Sequence, residues 1–142
     1  MKLALEQASI AANNNEVPVG CVITSKKKII AKAYNQIEKR KDPTAHAEIL
    51  AIREASNKLN SKFLLDCEAF VTLEPCSMCS GGLVLSKIGR VYFGAYDTKT
   101  GAAGSKFQIL NSRNLNHKIE VYGGILELEC SELLKKFFNA KR

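Results

Sequence analysis

The chain has 142 residues, of which 46% are apolar and 25% charged, and carries a formal net charge of +7 from 21 Lys and Arg against 14 Asp and Glu. That is the balance of a soluble globular chain, long enough for one ordinary domain with a real core. No apolar run approaches the roughly 20 residues a membrane helix needs, and Met1 to Ala12 is amphipathic, without the continuous apolar stretch of a signal peptide, so a cytoplasmic protein is expected.

Lys2 to Asn14 reads as a helix, with Leu3, Ala4, Ala8, Ala11 and Ala12 at helical spacing, ended by Asn13, Asn14 and Asn15. Val17 to Thr24 and Ile29 to Tyr34 are β-rich runs joined by Lys26, Lys27 and Lys28, the pattern of a hairpin. Asp42-Pro43 has the form of a helix start, with Asp42 as cap and Pro43 at the first helical position; Ile49, Ile52 and Leu59 would be that helix's buried stripe. Ala69 to Leu73 is a short apolar strand, and Pro75 opens a helix running to about Ser86. Arg90 to Ala95 is another strand, followed by the Gly-rich loop Gly101-Ala102-Ala103-Gly104 and a short helix over Ser105 to Leu110. Ile119 to Tyr122 is the last strand. The final helix covers Glu127 to Asn139, with Leu126, Cys130, Leu133, Leu134, Phe137 and Phe138 on one face. Strands alternate with helices after a hairpin, which predicts a mixed sheet with helices on both faces, an α/β layered domain over residues 1–142.

Five cysteines, an odd number in a basic chain, argue against a disulfide framework. Cys21, Cys67 and Cys130 stand singly among apolar neighbours and read as small buried hydrophobes. Cys76 and Cys79 differ: their two-residue gap, inside Pro75-Cys76-Ser77-Met78-Cys79 at a helix start, puts both sulfurs on one side and favours thiolate over thiol. His46, within His46-Ala47-Glu48, begins the other helix. Converging, the two stretches supply three soft zinc ligands and one carboxylate that is not needed as a ligand. Structural zinc is closed by four protein groups, whereas catalytic zinc keeps a position open, so this is the arithmetic of a hydrolytic site. Glu48, two residues beyond His46, does not share its helix face and can reach the open position. Two thiolates formally cancel the charge of the ion and weaken it as a Lewis acid, so a nearby base matters more; Glu48 would take a proton from water, pass it to a ring nitrogen and protonate a leaving amine. The remaining soft residues, His117 and the three single cysteines, have no useful spacing for a fourth ligand. The basic excess suits a polyanion, with nucleic acid the commonest, although Lys26 to Lys28 also fit a solvated hairpin tip.

His46-Ala47-Glu48 with Pro75-Cys76-Ser77-Met78-Cys79 is the established signature of the zinc-dependent nucleobase deaminases. With Glu16-Val17-Pro18-Val19-Gly20, Asp42-Pro43-Thr44-Ala45, Val71-Thr72-Leu73-Glu74, Ile88-Gly89-Arg90-Val91, Lys99-Thr100-Gly101-Ala102-Ala103-Gly104-Ser105, Asn116-His117 and Gly124-Ile125-Leu126, the chain resembles the bacterial tRNA-specific adenosine deaminases over nearly its whole length. The resemblance implies a three-layer α/β/α, cytidine-deaminase-like fold with a central mixed five-stranded sheet. It implies one Zn2+ per subunit on His46, Cys76 and Cys79, with Glu48 shuttling protons. It further implies a homodimer that binds a tRNA anticodon loop and converts its wobble adenosine to inosine. Asn35 would bond the extruded base, Asp97 and Lys99 would line the anticodon-loop groove, and Phe138 or its neighbour Phe137 would meet unstacked bases. Taken as residues alone, Asn35 is equally a turn residue, and the two Phe are more often core than platform. Tyr96, where an Arg is common, and Cys21, where a smaller residue is usual, depart from the pattern without touching the metal chemistry. Two other readings remain to be discriminated: a deaminase of a free base or nucleotide, of guanine or cytosine type, and a non-catalytic RNA-binding module with structural zinc.

Overall fold

Gly20 sets how the first layers meet. A Cβ there would strike the Ala4 carbonyl and the Ala8 amide, so helix α1 (Lys2–Asn13) lies directly on strand β1 (Gly20–Ser25), with only Ala4, Ala8 and Ala11 between them. In the computed structural model, which describes residues 1–142, the chain continues through β2 (Lys28–Tyr34), α2 (Ile37–Arg40), α3 (Ala47–Leu59), β3 (Cys67–Leu73), α4 (Ser77–Leu85), β4 (Arg90–Ala95), β5 (Glu120–Tyr122) and α5 (Glu127–Ala140). The five strands form one sheet in the order β2-β1-β3-β4-β5. β1 is antiparallel to β2 and β3, and β4 is parallel to β3 and β5. The sheet is mixed, as the alternation of elements predicts. Lys26 and Lys27 make the hairpin turn with φ of 50° and 66°, the left-handed values a two-residue turn demands.

Successive residues of β1 serve opposite layers. Gly20 meets α1, whereas Cys21 and Ile23 join Ala69, Val71, Val91 and Phe93 in a core closed by Ala47, Leu50, Ala51 and Ala55 of α3 and Leu83 of α4. α1 and α5 touch each other on one face, α3 and α4 on the other. Strands buried from both sides read as continuous apolar runs, which is the burial of β1 from Gly20 to Ile23.

Four sequence expectations are corrected. Asp42-Pro43 does not start a helix: Asp42 Oδ1 accepts from the Thr44 amide at 2.8 Å and the Thr44 hydroxyl at 2.7 Å, closing a turn, and α3 begins only at Ala47. The buried stripe of α3 is Ala47, Glu48, Leu50, Ala51 and Ala55, because the helix lies too close to the sheet for larger side chains; Ile49 and Ile52 flank it against Gly82 of α4, and Leu59 is exposed. No helix forms over Ser105 to Leu110, where turns and an Ala103–Gln108 bridge occur instead. On α5 only Cys130 is fully buried, and Phe138 is 46% exposed. The short helix α2 has no local signal; the Glu16 carboxylate makes it from afar by accepting from the Glu38 amide at 3.1 Å and the Lys39 amide at 2.8 Å.

Because α1 sits on bare backbone at Gly20, Gly20→Ala is expected to destabilise the protein by about 2–3 kcal/mol. Urea unfolding checks this: the midpoint should fall with the slope unchanged.

Candidate active site

The parallel strands β3 and β4 end side by side, and the loops leaving their carboxyl ends build the site, the usual place for one in an open α/β sheet. Glu74-Pro75-Cys76 leaves β3 into α4. Tyr96 to Ser105 leaves β4. The start of α3 completes the ring. His46 and Cys76 are the residues just before α3 and α4, in extended backbone conformation (ψ of 150° and 177°) and without a side-chain capping bond. Their side chains are therefore free to leave the helix axis and face one another. His46 Nδ1 lies 3.7 Å from Cys76 Sγ and 3.5 Å from Cys79 Sγ, and the three donor atoms fall within 4.8 Å of one another.

The electrostatics favour a cation. Two helix N-termini bring positive amide dipoles to the sulfurs, stabilising thiolate. The Cys79 sulfhydryl bonding to Cys76 pulls the Cys76 thiol down to about 4 against its burial, with His46 adding to the effect. The same partnership pushes the Cys79 thiol up, as do burial and Glu48. The bond to Cys76 also raises His46, against desolvation. A divalent ion held here would bind both sulfurs as thiolates. Glu48, on the first turn of α3, is 4% exposed, and its Oε2 has no hydrogen-bond partner. Burial pushes its carboxyl up to about 7. An orphaned buried carboxylate oxygen costs free energy unless something binds there. Three soft donors with an unpartnered carboxylate beside them fit a metal ion with one protein-free position, so His46, Cys76 and Cys79 form a candidate metal centre.

A cavity of about 180 Å3 opens above these groups, lined by Asn35, His46, Glu48, Glu74, Cys76 and Asp97 among others. It is smaller than the roughly 300–1,000 Å3 of pockets for drug-sized ligands, room for one ring system. Asn35 is 4% exposed, and its Oδ1 accepts from the Ala47 amide at 2.8 Å. Asn35 thus caps α3 from the residue just after β2, the duty the sequence assigns to Asp42. Asp97 turns its carboxylate back into its own loop, accepting from the Lys99 and Thr100 amides at 2.9 and 3.1 Å and the Thr100 hydroxyl at 2.6 Å. Lys99 and Phe138 are not in this cavity. They share an adjacent basic groove with Lys135, Lys141 and Arg142 along α5. Phe137 packs edge-on to Phe138 at 5.4 Å, with the Lys141 ammonium 4.8 Å from the Phe137 ring centre.

Sequence reasoning misses the two carboxylates that hold the cavity walls. Glu74 is 2% exposed; its Oε2 accepts from the Asp97 amide at 2.9 Å and its Oε1 from the Ala103 and Ser105 amides, each at 3.0 Å. A Cβ on Gly101 would come within 2.5 Å of this carboxylate, so only glycine fits. Glu16, also 2% exposed, does the same for α2, whose Ile37 lines the cavity. A signal was available: each acid borders an apolar run, Glu74 after one and Glu16 before one, with Pro75 or Val17-Pro18 beside it, where a charge is buried only when paired.

Deaminase is the class that this fold and site define: the model of the MafB19-like deaminase family matches residues 1–142. A tRNA-specific adenosine deaminase of Aquifex aeolicus (strain VF5) is 51% identical over 142 residues, 100% of this chain and 93% of that one. A structure from a study of A-to-I editing by tRNA:A34 deaminases at the wobble position of transfer RNA superimposes with a TM-score of 0.90 at 39% identity, covering 94% of this chain and 97% of that one. Guanine deaminase from Bacillus subtilis superimposes with a TM-score of 0.66 at 30% identity, over 97% and 90% of the two chains. The chain belongs to the tRNA-specific adenosine deaminase family.

Glu74→Gln tests the wall. The amide oxygen can keep Ala103 and Ser105, but the NH2 then opposes the Asp97 amide, donor against donor. A bond to a charged group contributes about 1.5–3 kcal/mol, so hydrogen exchange at the Asp97 amide should accelerate roughly ten- to a hundredfold. Unchanged protection there would remove Glu74 from this role.

Proposed function

We propose that this protein is a zinc-dependent hydrolase that converts adenosine to inosine at the wobble position of a tRNA anticodon, consuming water and releasing ammonia. The observation that carries the reading is the buried, unpartnered Glu48 oxygen beside His46, Cys76 and Cys79 at the floor of a one-base cavity. Family membership supplies the substrate class, since the Aquifex relative acts on tRNA adenosine by name. We read residues 1–142 as a single deaminase domain with one zinc ion per subunit, working in the cytoplasm; no helix is long and apolar enough to cross a membrane.

When bound by His46, Cys76 and Cys79, zinc supplies Lewis acidity that lowers the pKa of water. Glu48 then handles the protons. It accepts one from the attacking water as oxygen bonds to C6 of adenine and delivers it to the ring nitrogen N1. It then takes the proton of the new C6 hydroxyl and passes it to the exocyclic nitrogen, so that the C6 carbonyl forms, the C6–N bond breaks and ammonia leaves. Asn35, with Oδ1 fixed by the Ala47 amide, presents its Nδ2 to the base edge. The cavity admits a base but not the rest of the nucleotide, so the adenosine enters extruded from the loop stack. Glu74 holds the Asp97 turn and sets the width of the entrance. Lys99 offers charge to loop phosphates, and the exposed Phe138 offers a ring on which an unstacked base can lie.

The homodimer reading rests on α4. Met78, Gly81 and Leu85 lie on its outward side; Leu85 is 78% exposed, and the space before Gly81 is empty. A flat apolar strip of this kind suits a second copy of the chain.

Glu48→Gln is expected to keep the metal and bind tRNA while inosine formation falls at least about a hundredfold; an RNA-binding module with structural zinc would show no such change, having no activity in the wild type. Cys79→Ser should lose zinc, measured by elemental analysis, together with activity. The deciding assay offers defined anticodon stem-loops carrying adenosine beside free adenine, guanine and cytidine. Ammonia from the small molecules alone would replace this reading with that of a free-base deaminase.

A further inference from the structure

A second concave surface lies behind the site. Along the free edge of β2 a groove of about 560 Å3 separates the strand from the flank of α3. Its cations come from three elements: Lys32 on β2, Arg40 on α2, and Arg53 and Lys58 on α3; Glu54 is the one carboxylate among its lining residues. Asp42 is also nearby: hydrogen bonds from Thr44, and then the charges of Arg53 and Arg40, hold its carboxyl below the usual range. Four cations thus face two carboxylates. β2 pairs only with β1, so no strand covers this edge.

An exposed edge strand commonly carries lysines to deter pairing with other chains. That accounts for Lys28 and Lys32 but not for two arginines brought in from separate helices. Nor is the groove floppy throughout. Arg40 Nε donates to Gln36 Oε1 at 2.9 Å, and the backbone of α2 is fixed by Glu16. Arginine is the residue suited to phosphate, since its planar fork binds two oxygens at once. No exposed large apolar side chain lines the groove, so a protein partner would find no anchor there.

Its position links it to the active site. Asn35 and Ile37 line the one-base cavity, while their chain neighbours Tyr34 and Gln36 line the groove. One short stretch therefore has the reacting base on one side and the cations on the other. We propose that this groove is a second RNA track, which takes backbone phosphates of the substrate tRNA outside the nucleotide being deaminated. The proposal rests on the tRNA reading above and adds to it a surface that shares no lining residue with the groove of Lys99 and Phe138.

The test compares two variants of the zinc-loaded full chain with equal loss of charge: Lys32→Ala/Arg53→Ala/Lys58→Ala in the groove, and Lys26→Ala/Lys27→Ala/Lys28→Ala at the hairpin tip. Binding of a tRNA with an anticodon adenosine is measured by fluorescence anisotropy over a salt series, and inosine formation at saturating tRNA. The groove variant should bind at least tenfold more weakly than the hairpin variant. Its salt slope should fall by about one unit for each phosphate that the groove no longer neutralises, with kcat unchanged. Equal affinity and slope for the two variants would overturn the track. If the wild type makes no inosine from tRNA while the groove variant still loses RNA affinity, the proposed reaction falls and the track stands.

Discussion

The rest of the structure depends on two helices beginning at the same point. α3 and α4 bring their N-termini together so that His46, Cys76 and Cys79 place their donor atoms within 4.8 Å of one another. Each helix leaves unpaired amides at that end, and their dipoles add where the sulfurs sit. The arrangement favours thiolate at Cys76. It also needs the residue before each helix to be extended, since a helical His46 or Cys76 would lay its side chain along its own helix. Ala47 makes this possible for α3, because its amide is satisfied by Asn35, just past the end of β2, rather than by a local cap. His46 is therefore free of capping duty, and the group that frees it lines the same cavity.

Two buried carboxylates then give that centre its walls. Glu16 and Glu74 bind no cationic side chain; each is neutralised by backbone amides of a loop that would otherwise have little to hold it. A carboxylate that accepts several amides is stable when buried, and the amides are fixed with it. Glu48 differs in kind. Its Oε2 has no such partners, and that lack suits it to the proton transfer proposed for it. Three acids of similar burial thus divide into two that are fully bonded to loop amides and one with a free oxygen.

Much of this was legible in the sequence because its signals were local. The hairpin at Lys26-Lys27, strand β4 and the paired metal motifs follow from periodicity, turn chemistry and ligand spacing. What failed was long-range. Asp42 has the look of a helix cap, but its carboxylate is drawn into a turn by Thr44, and Asn35, beyond the end of β2, takes over the cap. Helix α2 exists because of Glu16, far behind it in the chain. The segment Ser105 to Leu110 is kept from coiling by the Gly101 and Ala102 carbonyls, which accept from the amides of Lys106, Phe107, Ile109 and Leu110. Leu59 and Phe138 have apolar side chains at plausible helical positions, yet nothing in the sequence reports how closely a helix approaches its sheet.

The Gly-rich loop after β4 is held almost wholly through its main chain, by Glu74, by the Pro75 carbonyl accepting from the Ala102 amide at 2.8 Å, and by a bridge between Cys76 and Gly101. Because the fastenings are amides, which every residue but proline possesses, the loop keeps its shape whatever most of its side chains are. Shape and chemical character are in this way decoupled. A scaffold of that kind can be retuned for a different nucleobase or a different RNA by exchanging outward-facing groups one at a time, without dismantling the metal centre behind them.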